Sequence, residues 1–166
     1  PAASQLTNPS QTIILFVGGT PELHAFTSNL VAPPGRQCFV VALADVNLQV
    51  LAQMGGMPKG TSIIATQAVP LITSSLPVVR AYRDALSRFF DEAPSPQGLA
   101  GFIAARYTAE ILGGISGPIT RASMLAALQR RNDVNVGGYV VAYQGKKRSN
   151  AYVTQSMLTQ DGRIIG

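Results

Sequence analysis

The sequence predicts an α/β fold with parallel strands. Three observations carry this. Continuous apolar runs of strand length occur at Ile13–Val17 and Phe39–Ala44, the mark of strands buried on both faces. Helix signals separate the strands, so three strands alternate with two helices before Pro70. The chain then changes character and becomes mostly helical.

The first strand is TIILFVGG, Thr12–Gly19, closed by two glycines. A helix follows in TPELHAFTSNLVA. Thr20 is its expected N-cap, with Pro21 at the first position and Glu22 in the first turn. Leu23, Phe26 and Leu30 share one face, and PPGR ends the helix. The second strand is Gln37–Ala44. DVNLQVLAQMGG then reads as a short helix, capped by Asp45 and stopped at Gly55-Gly56. The third strand, Gly60–Val69, is rich in β-branched residues.

After Pro70 come three helices. The first begins at Ser75, with an apolar stripe of Val78, Tyr82, Leu86, Phe89 and Phe90. The second, Gln97–Leu112, is mostly apolar with many small residues. The third is capped by Thr120. NDVNVGG reads as a loop. Gly138–Tyr143 and Asn150–Thr159 read as two strands joined by a basic turn, and QDGR as a final turn. The break near Val69-Pro70 marks a crossing between two lobes.

The chain has 166 residues, 46% hydrophobic and 13% charged, which places it among globular domains. No apolar run reaches transmembrane length, and the opening PAASQLTNPSQ carries no signal-peptide pattern. Net charge is +5, but the cations are scattered: Arg80, Arg83 and Arg88, then Arg130 and Arg131, then Lys146-Lys147-Arg148. No basic stripe with interleaved aromatics exists, so no nucleic-acid partner is expected. The lone cysteine, Cys38, forms no intrachain disulfide or zinc set and leaves the redox compartment open. It reads as a buried strand residue.

The stretch LFVGGTPELHAF raises the question of a ligand. It lacks the lysine of a P-loop and the spacing of a dinucleotide fingerprint. Glu22 would compete with a phosphate at the helix N-terminus, and Pro21 removes a donor. Two readings remain open. Gly18-Gly19 makes a sharp strand-to-helix turn and nothing more, or a small polar ligand sits at the carboxyl ends of the strands. In the second reading Thr20 offers a hydroxyl after strand one. Asp45, at the matching place after strand two, pairs with an ammonium group. Helix capping is the plainer role for Asp45, and both can hold. Catalytic signals are poor. His24 reads as a helix-surface residue, nothing brings Glu22 and Asp45 together, and no G-x-S-x-G, H-E-x-x-H or CxxC occurs. No catalytic residue, metal or cofactor is expected.

The order of motifs resembles the C-terminal half of type I periplasmic solute-binding proteins of ABC transporters, in the branched-chain amino acid branch. FVGGTPEL, FVVALADVN, KGTSIIATQAVP, LPVVRAYRDAL, GLAGFIAARYTAEIL, GPITRASMLAAL, NVGGYVVAY and AYVTQSMLTQDGRI carry the likeness nearly end to end. The resemblance implies parts of two Rossmann-like lobes, each an incomplete three-layer α/β/α unit. Residues 1–67 would be the late part of the second lobe, 68–139 the last helices of the first, and 140–166 closing strands near the hinge.

It further implies a solute-binding component of an uptake system. Two lobes would close over a small amino acid or amide-like solute, and a membrane permease would read the closure. Thr20 would line the cleft and Asp45, or its neighbour Ala44, would stand where an acidic residue takes the ammonium. Gly18 and Gly19 would let backbone approach the ligand. The location implied is periplasmic or extracellular, at a membrane. Family members are about twice as long, so half the cleft is missing. Tight binding by this chain as a monomer is not expected: the resemblance makes it either a fragment of a longer protein or a truncated chain that completes itself through a partner or a dimer with exchanged or shared surface. A sensor domain on the same scaffold, or a small α/β enzyme using Thr20 and Asp45, are the alternatives. Turnover would single out the enzyme.

Overall fold

The computed structural model describes residues 13–32, 34–55, 57–131, 133–144, 147–148 and 152–166. The chain forms two compact units. Unit 1 takes the chain up to Gln67 and again from Val153, and unit 2 is Ala68–Tyr152.

Unit 1 is a five-stranded sheet in the order β1-β2-β3-β7-β8. Its strands are β1 (Ile13–Phe16), β2 (Cys38–Ala42), β3 (Thr61–Gln67), β7 (Thr154–Leu158) and β8 (Ile164–Ile165). The first three are parallel, joined through α1 (Thr20–Ser28) and α2 (Leu48–Met54). β7 then runs antiparallel to β3, and β8 antiparallel to β7.

Strand register sorts the side chains into two faces. Ile14, Val40, Ile63, Leu158 and Ile164 form one cross-strand row. Its central members are fully buried against Leu23 of α1 and Leu48 and Leu51 of α2. Each such side chain contributes about 1.5–3 kcal/mol of burial. Leu15, Val41, Ile64, Met157 and Ile165 form the opposite row. None of them belongs to the buried cluster, and Leu15 is 79% exposed. The expectation that the first strand is buried on both faces is therefore corrected. Among the described residues β1 is the end strand of the sheet, and its Ile13 and Leu15 side chains are exposed.

Thr61 sits at the start of β3 on the buried face, opposite Cys38. Burial pushes the Cys38 thiol pKa up, so it stays an inert core group. The Thr61 hydroxyl is buried without a hydrogen-bond partner among the described residues. Removing an unpaired buried hydroxyl relieves a desolvation cost. Thr61→Val is expected to stabilise the chain by about 1 kcal/mol, read as a higher urea midpoint at unchanged slope. A lower midpoint would mean that the hydroxyl is paired in solution.

Unit 2 holds α3 (Pro77–Phe89), α4 (Pro96–Gly113) and α5 (Arg121–Arg130) with β4 (Asp133–Val136), β5 (Tyr139–Gln144) and β6 (Lys147–Arg148). Val78, Val79, Tyr82, Leu99, Ile103 and Ile111 are central to its core. The α3 stripe is buried at Val78 and Tyr82, but Phe89 and Phe90 are exposed. Thr120 caps α5 as expected, in a reciprocal pair with Ser123.

Two strand expectations change. NDVNVGG contains a strand, β4, paired antiparallel with β5 across the two-residue Gly137-Gly138 turn. The last two predicted strands do not pair with each other. β5 pairs with β4 and β6, and β7 joins β3 in unit 1. Residues 145, 146 and 149–151, part of the predicted basic turn, lie outside the described residues, as do Thr12 and Gly56.

Candidate functional site

The carboxyl ends of β1, β2 and β3 meet at one rim of unit 1, and hydrogen bonds tie the following loops together. Thr20 is not the N-cap of α1. Gly19 is, and Thr20 is the first helical residue. The Thr20 side chain is buried, and its Oγ1 accepts from the backbone N–H of Asn47 at 2.9 Å. Thr20 thus links the loop after β1 to the loop after β2.

Asp45 is not the cap of α2 either. That role falls to Asn47, whose Oδ1 accepts from Gln49 N at 3.0 Å and Val50 N at 3.3 Å. Asp45 lies in a turn two residues earlier, closed by Val46 N donating to Leu43 O at 3.1 Å. Val46 turns inward and is fully buried, while Asp45 faces solvent. From the third strand, Gln67 Nε2 reaches Val46 O at 3.5 Å and Thr66 Oγ1 donates to Ala42 O at 3.3 Å. Sequence reading missed Asn47 and Gln67. Asn47 had a signal, an Asn directly before the apolar helix start. Gln67 had none.

Gly18 and Gly19 are half-buried on the same rim. A Cβ on Gly18 would lie 2.9 Å from the Phe16 ring, which itself packs on Phe26 at 5.6 Å between centroids. Gly18 therefore has a packing reason to be glycine. A Cβ on Gly19 would lie 2.9 Å from Glu22 Oε2, the movable end of a flexible side chain. Glu22 thus folds back beside the start of α1, where its charge suits the helix dipole and opposes a bound phosphate. Val17 and Leu43 add exposed apolar surface next to the glycines and Asp45. The rim offers a carboxylate, backbone and aliphatic surface. Among the described residues, no group of three or more potential metal ligands occurs. His24 is half-buried in α1.

No protein-family model matches the sequence, and no curated protein matches it. Solved structures do. An extracellular ligand-binding receptor from Verminephrobacter eiseniae is 22% identical with a TM-score of 0.80, over 99% of this chain and 47% of that one. A substrate-binding periplasmic protein from Ralstonia solanacearum is 23% identical with a TM-score of 0.81, over 99% and 48%. A possible leucine/isoleucine/valine-binding protein from Rhodopirellula baltica is 24% identical with a TM-score of 0.75, over 97% and 44%. The chain spans about half the length of these structures. Its fold is the α/β fold of half of a type I periplasmic binding protein, as the sequence resemblance implied.

Proposed function

We propose that this chain supplies half of a two-lobed receptor for a small polar solute, an amino acid or an amide-like compound. The supporting observation is the fold likeness over nearly the whole chain to ligand-binding receptors. With it goes the rim of Gly18, Gly19, Thr20 and Asp45 at the strand ends, where open α/β sheets bind ligands. In this reading residues 1–67 belong to the second lobe and 68–139 to the first, with 140–166 near the hinge. Asp45 takes the solute's ammonium, the glycines present backbone, and Val17 and Leu43 flank an aliphatic side chain. Thr20 holds the Asp45 loop in place. Lobe closure follows binding, and a membrane permease reads the closed form from the periplasmic or extracellular side. The protein binds and releases without turnover.

The test is a titration of the ¹⁵N-labelled chain with L-leucine, and with 4-methylpentanoate, the same skeleton without the ammonium. One wall of a cleft supports affinity of order 1 mM, about 4 kcal/mol. Shifts are expected at residues 17–20 and 43–47. An exposed ion pair contributes up to about 1 kcal/mol, so leucine should bind a few-fold tighter than 4-methylpentanoate. Asp45→Asn should erase that preference and leave the fold intact. Shifts confined to other residues, or a preference unchanged in Asp45→Asn, would sink this assignment.

A further inference from the structure

Asp161-Gly162 is the sole place in the sequence where glycine follows an aspartate or asparagine. The backbone nitrogen after an aspartate can attack the side-chain carboxyl carbon. Glycine, without a Cβ, hinders that attack least. Asp45, Asp84, Asp91 and Asp133 are followed by Val46, Ala85, Glu92 and Val134, whose side chains crowd the nitrogen.

The step sits at the tip of the β7–β8 hairpin, and the turn engages the groups that the reaction needs. Gly162 N donates to Thr159 O at 3.0 Å. Asp161 Oδ1 accepts from the Thr159 hydroxyl, which also reaches Arg163 O at 2.9 Å. Asp161 Oδ2 accepts from Arg163 Nε at 2.5 Å. The Thr159 hydroxyl first, and then Arg163, hold the Asp161 pKa below the usual carboxylate range. The reaction consumes the carboxylic acid, whose hydroxyl is the leaving group, so both contacts disfavour it. The hold is shallow, however. β8 pairs with β7 at two residues only, Leu158 with Ile164 and Met157 with Ile165, and Ile164 and Ile165 are exposed. A ribbon this short and exposed opens locally at small cost.

We propose that Asp161-Gly162 is a backbone isomerisation site that the folded hairpin holds shut through Thr159 and Arg163. When the hairpin opens, Gly162 N bonds to Asp161 Cγ. The carboxyl hydroxyl and the amide hydrogen leave as water, and a five-membered succinimide closes. Water then adds back at one of its two carbonyl carbons. Addition at Cγ breaks the new bond and restores aspartate. Addition at the Asp161 backbone carbonyl breaks the original peptide bond and leaves isoaspartate, with the chain running through the former side chain. Nothing is oxidised or reduced. Isoaspartate lengthens the main chain by one methylene, so the contacts between Thr159 and Arg163 no longer fit and the β7–β8 register is lost. The site does not depend on solute binding, so the receptor reading can fail and leave it standing.

The experiment incubates the 166-residue chain at neutral pH, folded in buffer and unfolded in guanidinium chloride. Isoaspartate is read by peptide mapping with electron-transfer fragmentation, and the other four aspartates serve as internal references. In the unfolded chain isoaspartate should accumulate chiefly at Asp161, on the order of tenfold faster than in the folded chain. Arg163→Ala and Thr159→Val each remove a side-chain donor and keep the backbone contacts. Each should speed the folded chain several-fold and change the unfolded rate little. Hydrogen exchange on the modified chain should find the β8 amides unprotected. A folded chain that isomerises as fast as the unfolded one would overturn the proposal. So would an unfolded chain with no excess of isoaspartate at Asp161, folded variants no faster than the original, or a modified chain that keeps β8 protected.

Discussion

Gly98→Ala is expected to destabilise unit 2 by about 3 kcal/mol, the upper range for forcing atoms into a packed core. A Cβ built on Gly98 lies 2.1 Å from Tyr82 Oη and 3.1 Å from Tyr82 Cζ. The ring cannot swing aside cheaply. Tyr82 is 5% exposed, packs on Phe102 at 5.6 Å and accepts a hydrogen bond from Ser95 N at 3.2 Å. Ser95 is itself the N-cap of α4, its Oγ accepting from Gly98 N at 3.0 Å. Moving Tyr82 would therefore disturb the helix start that Gly98 belongs to. Better helix propensity offsets about 1 kcal/mol of the cost, which is why a small net effect would be informative.

A second substitution separates the clash from other causes. Tyr82→Phe removes the hydroxyl that the new methyl strikes. Alone it should cost about 1 kcal/mol, because Ser95 N–H loses its acceptor. Combined with Gly98→Ala it should recover part of the loss, giving a favourable coupling in the double-mutant cycle. Urea unfolding of the four proteins, followed by circular dichroism, measures it. Additive losses would mean that Gly98 is glycine for a reason other than Tyr82.

The alternation of strand and helix in unit 1 was legible because glycine and proline punctuate it. Gly18-Gly19 closes the first apolar run, and Pro70 follows the third. Those glycines also drew attention to the candidate rim. The caps were less legible. Thr20 and Asp45 are good capping residue types, but so is Asn47, and local sequence does not rank them. The deciding contact is Asn47 N–H on Thr20 Oγ1, between residues 27 apart. β1 shows a different limit. IILF is apolar on both sides, which says what surroundings each face suits and not what this chain places there.

Sequence neighbours misled at the end of the chain. Two strand-like runs near a turn suggest a hairpin, since consecutive strands pair about two-thirds of the time. β7 instead pairs with β3, through a register that joins Gln67 to Thr154. No local signal selects that partner. NDVNVGG reads as a loop because Asp and Asn are poor strand formers, yet it holds β4. Its alternation, with Val134 and Val136 inward, was the clue, along with the Gly-Gly pair that suits a two-residue hairpin turn.

That turn carries the other large effect. Gly137 and Gly138 have φ of +56° and +88°, the positive pair of a type I′ turn between Val136 and Tyr139. A Cβ on Gly137 would lie 2.8 Å from Val78 N, 3.1 Å from Val78 Cβ and 3.2 Å from Val78 Cα. Most of this is backbone, in the first turn of α3. Val78 N also donates to Gly137 O at 3.0 Å, filling an amide that the helix cannot satisfy itself. Gly137→Ala thus combines left-handed strain, about 1 kcal/mol or more, with loss of the helix-to-turn contact. About 3 kcal/mol is expected in total. Gly137→Asn distinguishes the two parts, because Asn tolerates positive φ but carries the same Cβ. If the clash dominates, Asn should cost nearly as much as Ala in urea unfolding. An Asn variant close to the original in stability would instead show that the turn can move off α3, and that backbone conformation alone keeps glycine there.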